Sequence, residues 1–221
     1  MVVIPAYQAK AAIVPLIAEV RRVGLPVIVV DDASNDGTAK AAEAAGATVI
    51  RRPVNGGKGA ALRDGIPAAL QRGCDWVLML DADGQHLVSE IPRFFQEAQR
   101  GGADLLIGDR MGQPRGMPLD RWVTNLIMSW IISNMVGQKI PDTQCGFRMI
   151  HHRVMEKVRL TSDRFEVETE MVIRTVRAGF RIASVPVSSV YRRHSSFIHP
   201  LRDTVRFFRF LSRLQREKPP A

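Results

Sequence analysis

Cysteine is scarce in these 221 residues. There are two, Cys74 and Cys145, too far apart for a metal knuckle and too few for a disulfide framework, so a reducing, cytoplasmic compartment is the expectation. Long apolar runs are lacking as well. The longest apolar-rich stretch, residues 119–136, is interrupted by Asp120, Arg121, Asn125, Ser129, Ser133 and Asn134. A membrane span needs about 20 mostly apolar residues, which argues against one here. The N-terminal apolar run meets Pro5 before it reaches the length of a signal-peptide core. Acidic residues are in deficit: 22 Asp and Glu face 31 Lys and Arg, a formal net charge of +9. That balance points to an anionic partner, whether nucleic acid, membrane surface or phosphorylated substrate. There is no internal repeat, and only the tail, residues 217–221, reads as disordered.

What remains is ordinary for one soluble domain, with 46% hydrophobic and 24% charged residues and enough chain for a sizeable core. Residues 2–4, 27–30, 48–50, 76–80 and 104–107 read as short strands. Segments 9–22, 38–45 and 59–72 have helical spacing, two of them closed by Gly46 and Gly73. This alternation predicts an α/β fold with a mostly parallel, doubly wound sheet flanked by helices. After Arg110 the alternation breaks down. A Gly/Pro-rich loop leads to the amphipathic segment 119–136, then to "DTQCGFRMI", a helix near 166–178 and a strand at 181–187.

Ligands of open α/β sheets bind beyond the carboxyl ends of the strands. The five predicted strands run there into "PAYQ", "DDASNDGT", "RRPVNGGKG", "DADGQH" and "GDR", so one polar rim is the expected active site. If Asp81 and Asp83 continue the extended strand, they point to the same side. Two carboxylates that close repel unless a cation lies between them. Mg²⁺ or Mn²⁺, shared with substrate phosphates and with Gln85 as a neutral ligand, fits such a pair; a solvated Asp-Gly turn is the plainer alternative. Asp31 and Asp32 stand where a carboxylate can accept hydrogen bonds from a nucleobase or ribose, whereas Asp36 and Thr38 read as a helix cap. In "NGGKG" the glycines allow close backbone approach and Lys58 brings charge to a helix start, facing either a phosphate or solvent. His86, His151 and His152 lack metal-ligand spacing and are read as structural.

Taken together, "VVIPAYQA", "VVDDASNDGT", "NGGKGAALRDGI" and "DADGQH", in this order, resemble the family 2 glycosyltransferases with the GT-A (Rossmann-like) fold. Gln8 replaces the usual Asn, and Ala9 stands where an acidic residue is common. "GDR", "DTQCGFRM", "FEVETEMVIRTVRAGFRIASVPV" and "YRRHSS" resemble the branch that makes polyprenyl- and dolichyl-phosphate mannose or glucose. The resemblance implies a single GT-A domain over residues 1–216. Residues 1–110 would bind the nucleotide sugar, 111–200 the acceptor, and 201–216 would form a basic amphipathic helix. It further implies inverting transfer from UDP-glucose or GDP-mannose to a lipid phosphate. Asp81, Ala82 and Asp83 would hold the donor, with Asp81, Asp83 and Gln85 on the metal. Pro5, Tyr7, Asp31 and Asp32 would frame the nucleotide, with Lys58 nearby. Arg110 and Arg121 would clamp the acceptor phosphate. Asp142 is either a catalytic base, as a hydroxyl acceptor would need, or a turn aspartate beneath the acceptor loop. A phosphate acceptor is largely dianionic at neutral pH and can attack without a base.

A lipid acceptor, as the resemblance implies, would place the protein at the cytoplasmic face of a membrane. Two segments suit a peripheral contact. One is the apolar face of 119–136, with Trp122, Val123, Leu126, Ile127, Trp130 and Ile131. The other is the C-terminal helix, where Arg202, Arg206, Arg209, Arg213 and Arg216 make a stripe beside Val205, Phe207, Phe208, Phe210, Leu211 and Leu214. For the latter, packing on the domain is the alternative. No membrane anchor is expected, and binding should accordingly be reversible and salt-sensitive. Three other functions compete. A family 2 transferase acting on a glycolipid hydroxyl shares every donor motif. A sugar nucleotidyltransferase needs a glycine-rich loop after the first strand, and "IPAYQ" is not one. A nucleic-acid binder accounts for the charge and not for the acidic rim, so no nucleic-acid partner is expected. Oligomeric state is not legible.

Overall fold

In the computed structural model, which describes residues 1–112, 114, 116–188, 207, 209–214 and 216, the β-branched run of β2 (Val27–Asp31) is buried at every position. Burial on both faces requires layers above and below, as in a doubly wound α/β sheet. Along one half, β1 (Val2–Ala6) pairs in parallel with β2 and with β4 (Trp76–Met79), and β2 pairs with β3 (Thr48–Arg51). The connecting helices are α1 (Lys10–Arg22), α2 (Thr38–Ala44) and α3 (Lys58–Leu70). α1 packs on α2, while α3 lies along β1 and β2.

The other half departs from simple alternation. After α4 (Ile91–Arg100) and β5 (Leu105–Asp109) comes the long α5 (Leu119–Val136). The chain then returns through β6 (Arg148–His151), which lies antiparallel between β4 and β5. Short α6 (His152–Lys157), α7 (Glu166–Arg177) and the parallel edge strand β7 (Ile182–Pro186) complete the order β3-β2-β1-β4-β6-β5-β7. The expected α/β class and mostly parallel sheet are therefore present as one seven-stranded sheet.

Strand β6 goes beyond the sequence reading, and Arg148 explains why. This residue interrupts the apolar pattern, yet it is 1% exposed. Its guanidinium donates to the carbonyls of Cys145 (2.7 Å), Glu168 (2.6 Å) and Thr143 (2.7 Å). A buried cation is tolerated when its donors are met. Because β6 runs against its neighbours, the loop that precedes it, residues 142–147, emerges at the same rim as the carboxyl ends of β4 and β5.

The C-terminal helix is described at 207, 209–214 and 216. Phe207, Leu211 and Leu214 are buried, and Arg177 Nη1 donates to the Leu214 carbonyl at 2.6 Å. This corrects the interfacial reading of the helix, since three of its apolar residues already lie in the core. Arg202, Arg206, Val205, Phe208, the "YRRHSS" segment and residues 217–221 lie outside the described residues. Among the described residues no helix is long and apolar enough to cross a membrane.

Candidate active site

The rim begins with two turns clipped together. Gln8 N donates to Ser34 Oγ (2.9 Å), Ala9 N to Thr38 Oγ1 (2.9 Å) and Lys10 N to Asp36 Oδ2 (3.0 Å). Asp36 also accepts the first amide of α2, Thr38 N, at 2.9 Å, the capping role read from the sequence, whereas the Thr38 hydroxyl accepts Ala9 N. Gln8 and Ala33 have φ of 52° and 62°, a left-handed region that costs non-glycine residues of order 1 kcal/mol or more. Both outliers lie on this rim. Pro5 is half-buried on β1, and Tyr7 is exposed at the turn.

Asp31 and Asp32 are both buried at the end of β2, but they differ in engagement. Asp32 accepts Arg52 Nη1 (2.8 Å), Gly56 N (2.9 Å) and Gly57 N (2.7 Å). Asp31 accepts a single long bond from Ser34 N, 3.3 Å. The glycine loop is accordingly no open phosphate cradle. Two of its amides serve Asp32, and Ala60 N donates to the Asp163 carbonyl at 3.0 Å. The glycines answer a packing demand: a Cβ at Gly59 would collide with the Ser162 carbonyl.

Lys58, the first residue of α3, turns neither to solvent nor to an open anion site. It pairs with Asp81 and, at 2.5 Å, with Glu168 Oε1. β4 ends at Met79, so Asp81–Ala82–Asp83 occupies a turn rather than an extended strand. Strand alternation therefore does not align the two carboxylates, contrary to the expectation from sequence. They stand close through the turn instead, and their charges interact. Burial works against the Asp81 charge, but Lys58 and then His86 outweigh it and hold the carboxyl well below the ordinary range. Lys58 is likewise pushed above its usual value, Asp81 and Glu168 prevailing over burial. Asp83 moves the opposite way: burial and then repulsion from Asp81 raise it. One Asp83 oxygen accepts Gln85 N at 2.9 Å, and the other has no partner among the described residues.

Three participants fall outside the sequence assignment. Glu168 is buried, with Oε2 unpartnered. Buried His86 sets Nε2 3.5 Å from Asp81 Oδ2 and leaves Nδ1 unpartnered, so it belongs with the site and not with the bystander histidines. Gly146 is the third, because a Cβ there would strike the Asp81 carboxylate. The available signal for Glu168 was "VETE", two acids among residues of a helix otherwise bound for the core.

A second cluster sits where the 142–147 loop meets β5. Arg110 grips Asp142 bidentately, Nε to Oδ2 at 2.6 Å and Nη2 to Oδ1 at 3.0 Å. Asp142, 1% exposed, also accepts the amides of Arg110 (3.3 Å) and Gln144 (3.1 Å). Arg121 is half-buried in the first turn of α5. No hydrogen bond or ion pair among the described residues joins it to either cluster. Neighbouring Cys145 is buried, its thiol pushed up to about 12 chiefly by that burial, and so is inert.

No group of three or more metal-ligating His, Cys, Asp or Glu side chains occurs among the described residues. The residues present nonetheless fit a cation completed by substrate oxygens. Asp83 offers an unpartnered carboxylate oxygen, Gln85 stands beside it, and a cation would relieve the repulsion that raises Asp83.

Comparison with known proteins gives likenesses of three kinds: to a family, to individual relatives and to a solved structure. The profile of Glycosyl transferase family 2 matches residues 1–159. An undecaprenyl-phosphate mannosyltransferase of Micrococcus luteus is 32% identical over 207 residues, covering 87% of this chain and 84% of the relative. A UDP-N-acetylglucosamine–dolichyl-phosphate N-acetylglucosaminyltransferase of Methanococcus voltae is 26% identical over 216 residues, covering 87% and 86%. Among solved structures, glucosyl-3-phosphoglycerate synthase from Mycobacterium tuberculosis, crystallised with Mn²⁺, UDP and phosphoglyceric acid, shares the fold. Its TM-score is 0.74 at 22% identity, covering 100% of this chain and 78% of that one.

Proposed function

Because this chain belongs to glycosyl transferase family 2, we propose that it transfers a sugar from a nucleotide-sugar donor to a polyprenyl phosphate, with inversion at the anomeric carbon. The relatives from Micrococcus luteus and Methanococcus voltae, whose names carry a polyprenyl or dolichyl phosphate, favour that acceptor. The single observation that carries the reading is the state of Asp142. A hydroxyl acceptor needs a base, and Asp142 is buried with both oxygens engaged by Arg110 and backbone amides. A phosphate acceptor needs none.

In this reading Pro5, Tyr7, Asp31 and Asp32 frame the nucleotide, Asp32 doing so through the glycine loop it pins. Lys58 fixes Asp81 and Glu168 against the donor. Asp83 and Gln85, with Asp81 alongside, hold Mg²⁺ or Mn²⁺, which when bound offsets the charge of the leaving diphosphate. Arg110, oriented by Asp142, and Arg121 bind the acceptor phosphate. An acceptor oxygen attacks the anomeric carbon, the bond from that carbon to the nucleoside diphosphate breaks, and the diphosphate leaves with the electron pair. UDP-glucose and GDP-mannose are the donors to test first.

Access to a lipid acceptor assigns a role to α5. Leu119, Val123, Leu126, Ile127 and Trp130 are exposed at spacings that place them on one face. This stripe, rather than the apolar side of the C-terminal helix, is the hydrophobic contact with the cytoplasmic membrane surface.

The test is a screen of labelled UDP- and GDP-sugars against undecaprenyl phosphate, dolichyl phosphate and the matching dephosphorylated alcohols, with Mn²⁺, Mg²⁺ or EDTA. Product is expected only with the phosphates and only with metal. Transfer to the alcohols alone would sink the acceptor assignment. Full activity in EDTA would remove the metal.

A further inference from the structure

Between the 161–166 segment and the C-terminal helix lies a cavity of about 370 Å³, whose walls include Thr161, Ser162, Arg164, Arg209, Phe210 and Arg213. None of the residues assigned above to donor or acceptor lines it. Among the described residues that line it, two acids, Asp163 and Glu166, face three guanidinium groups, and Asp163 already answers Arg63 at 2.5 Å. Among the described residues, Arg164, Arg209 and Arg213 have no carboxylate partner. Arginines left uncompensated around a concave wall suit phosphate oxygens, which a guanidinium meets through paired N–H groups.

The wall is also firmly built. Glu170 accepts Thr161 N (2.9 Å), Thr161 Oγ1 (2.7 Å), Ser162 N (2.8 Å) and Arg174 Nε (2.7 Å), which fixes the segment in place. On its other side the segment braces the start of α3, through Asp163 O to Ala60 N and through the close approach of Ser162 to Gly59. The opposite wall is held by Phe207, Leu211 and Leu214 in the core.

We propose that this cavity is a binding site for a phosphate-bearing anion, separate from the donor and acceptor sites. The phosphate comes either from a soluble phosphoester or from a lipid headgroup, and one experiment distinguishes them. Pyrophosphate without divalent ions is titrated calorimetrically into the full chain and into an Arg209→Gln/Arg213→Gln variant. Both proteins are also floated with phosphatidylglycerol and phosphatidylcholine vesicles. A control variant, Arg22→Gln/Arg100→Gln, carries the same charge change at exposed positions elsewhere.

A pyrophosphate affinity at least about tenfold weaker in the Arg209/Arg213 variant than in the control supports the site and assigns a soluble ligand. Loss of phosphatidylglycerol flotation in that variant, with the control floating normally, supports the site and assigns a headgroup. Equal behaviour of the two variants in both assays overturns the proposal, whether both match the parent chain or both weaken together. The Arg side chains at 209 and 213 are exposed, so their replacement leaves the fold intact, which an unchanged thermal transition without ligand verifies.

Discussion

Two carboxylates two residues apart are pushed in opposite directions from the ordinary carboxylate range. Asp81, answered by Lys58, is held below the ordinary range, so its contribution to stability is present above the unfolded carboxylate pKa and fades as pH falls. Asp83 is raised. Between its unfolded and folded pKa the folded chain binds the extra proton, so stability falls as pH rises through that window. Asp83→Asn is therefore expected to raise the melting temperature of the metal-free protein, more at pH 8 than at pH 5. It should also lower sugar transfer by roughly 100-fold or more, as expected on the proposed role of Asp83 in holding the cation that offsets the leaving diphosphate. Melting curves at the two pH values and initial rates check both halves. A variant that melts lower at pH 8 would contradict the electrostatic account.

At the scale of elements, β6 and the loop before it make the site. Arg148 holds that loop by three carbonyls, and the loop delivers Asp142 to Arg110 and Gly146 to Asp81. Arg148→Met keeps the length of the side chain and strips its donors, leaving buried carbonyls unsatisfied at about 1–3 kcal/mol each. A melting temperature lower by about 10 °C is expected from scanning calorimetry, since 1 kcal/mol shifts a domain of this size by roughly 2–4 °C.

The same elements mark what was legible beforehand. β1, β2 and β4 announced themselves as unbroken apolar runs, and the polar strand ends led to Asp31, Asp32, Asp81, Asp83 and Arg110. β6 was illegible because its key residue is a buried arginine whose partners are backbone carbonyls from α7 and from its own loop. Such partners leave no mark in a residue pattern. Lys58 was ambiguous for a related reason. Its two counter-charges, Asp81 and Glu168, come from 23 and 110 positions further along, and only the fold brings them together. The C-terminal helix misled in the opposite sense, since its amphipathic pattern does not say whether core or lipid covers the apolar side.

For the whole molecule, the net charge of +9 and the exposed stripe of α5 combine in one expectation. Flotation with anionic vesicles should be strong at low salt and weaken as salt screens the charge. Leu126→Glu/Trp130→Glu should abolish it while leaving the melting temperature within about 2 °C, because both side chains already face solvent. Retained flotation would return the membrane contact to another surface.

The antiparallel strand has a last consequence, in time rather than in space. β4 and β5 are joined only through β6, which is made after both. During synthesis β3-β2-β1-β4 emerges as a set that pairs within itself, whereas β5 has no partner until residues 148–151 arrive. Non-local pairings of this kind are slow to form, and an unpaired edge invites aggregation meanwhile. The β1–β4 side of the rim is thus built early on the ribosome, and one four-residue strand decides when the β5 side is joined to it.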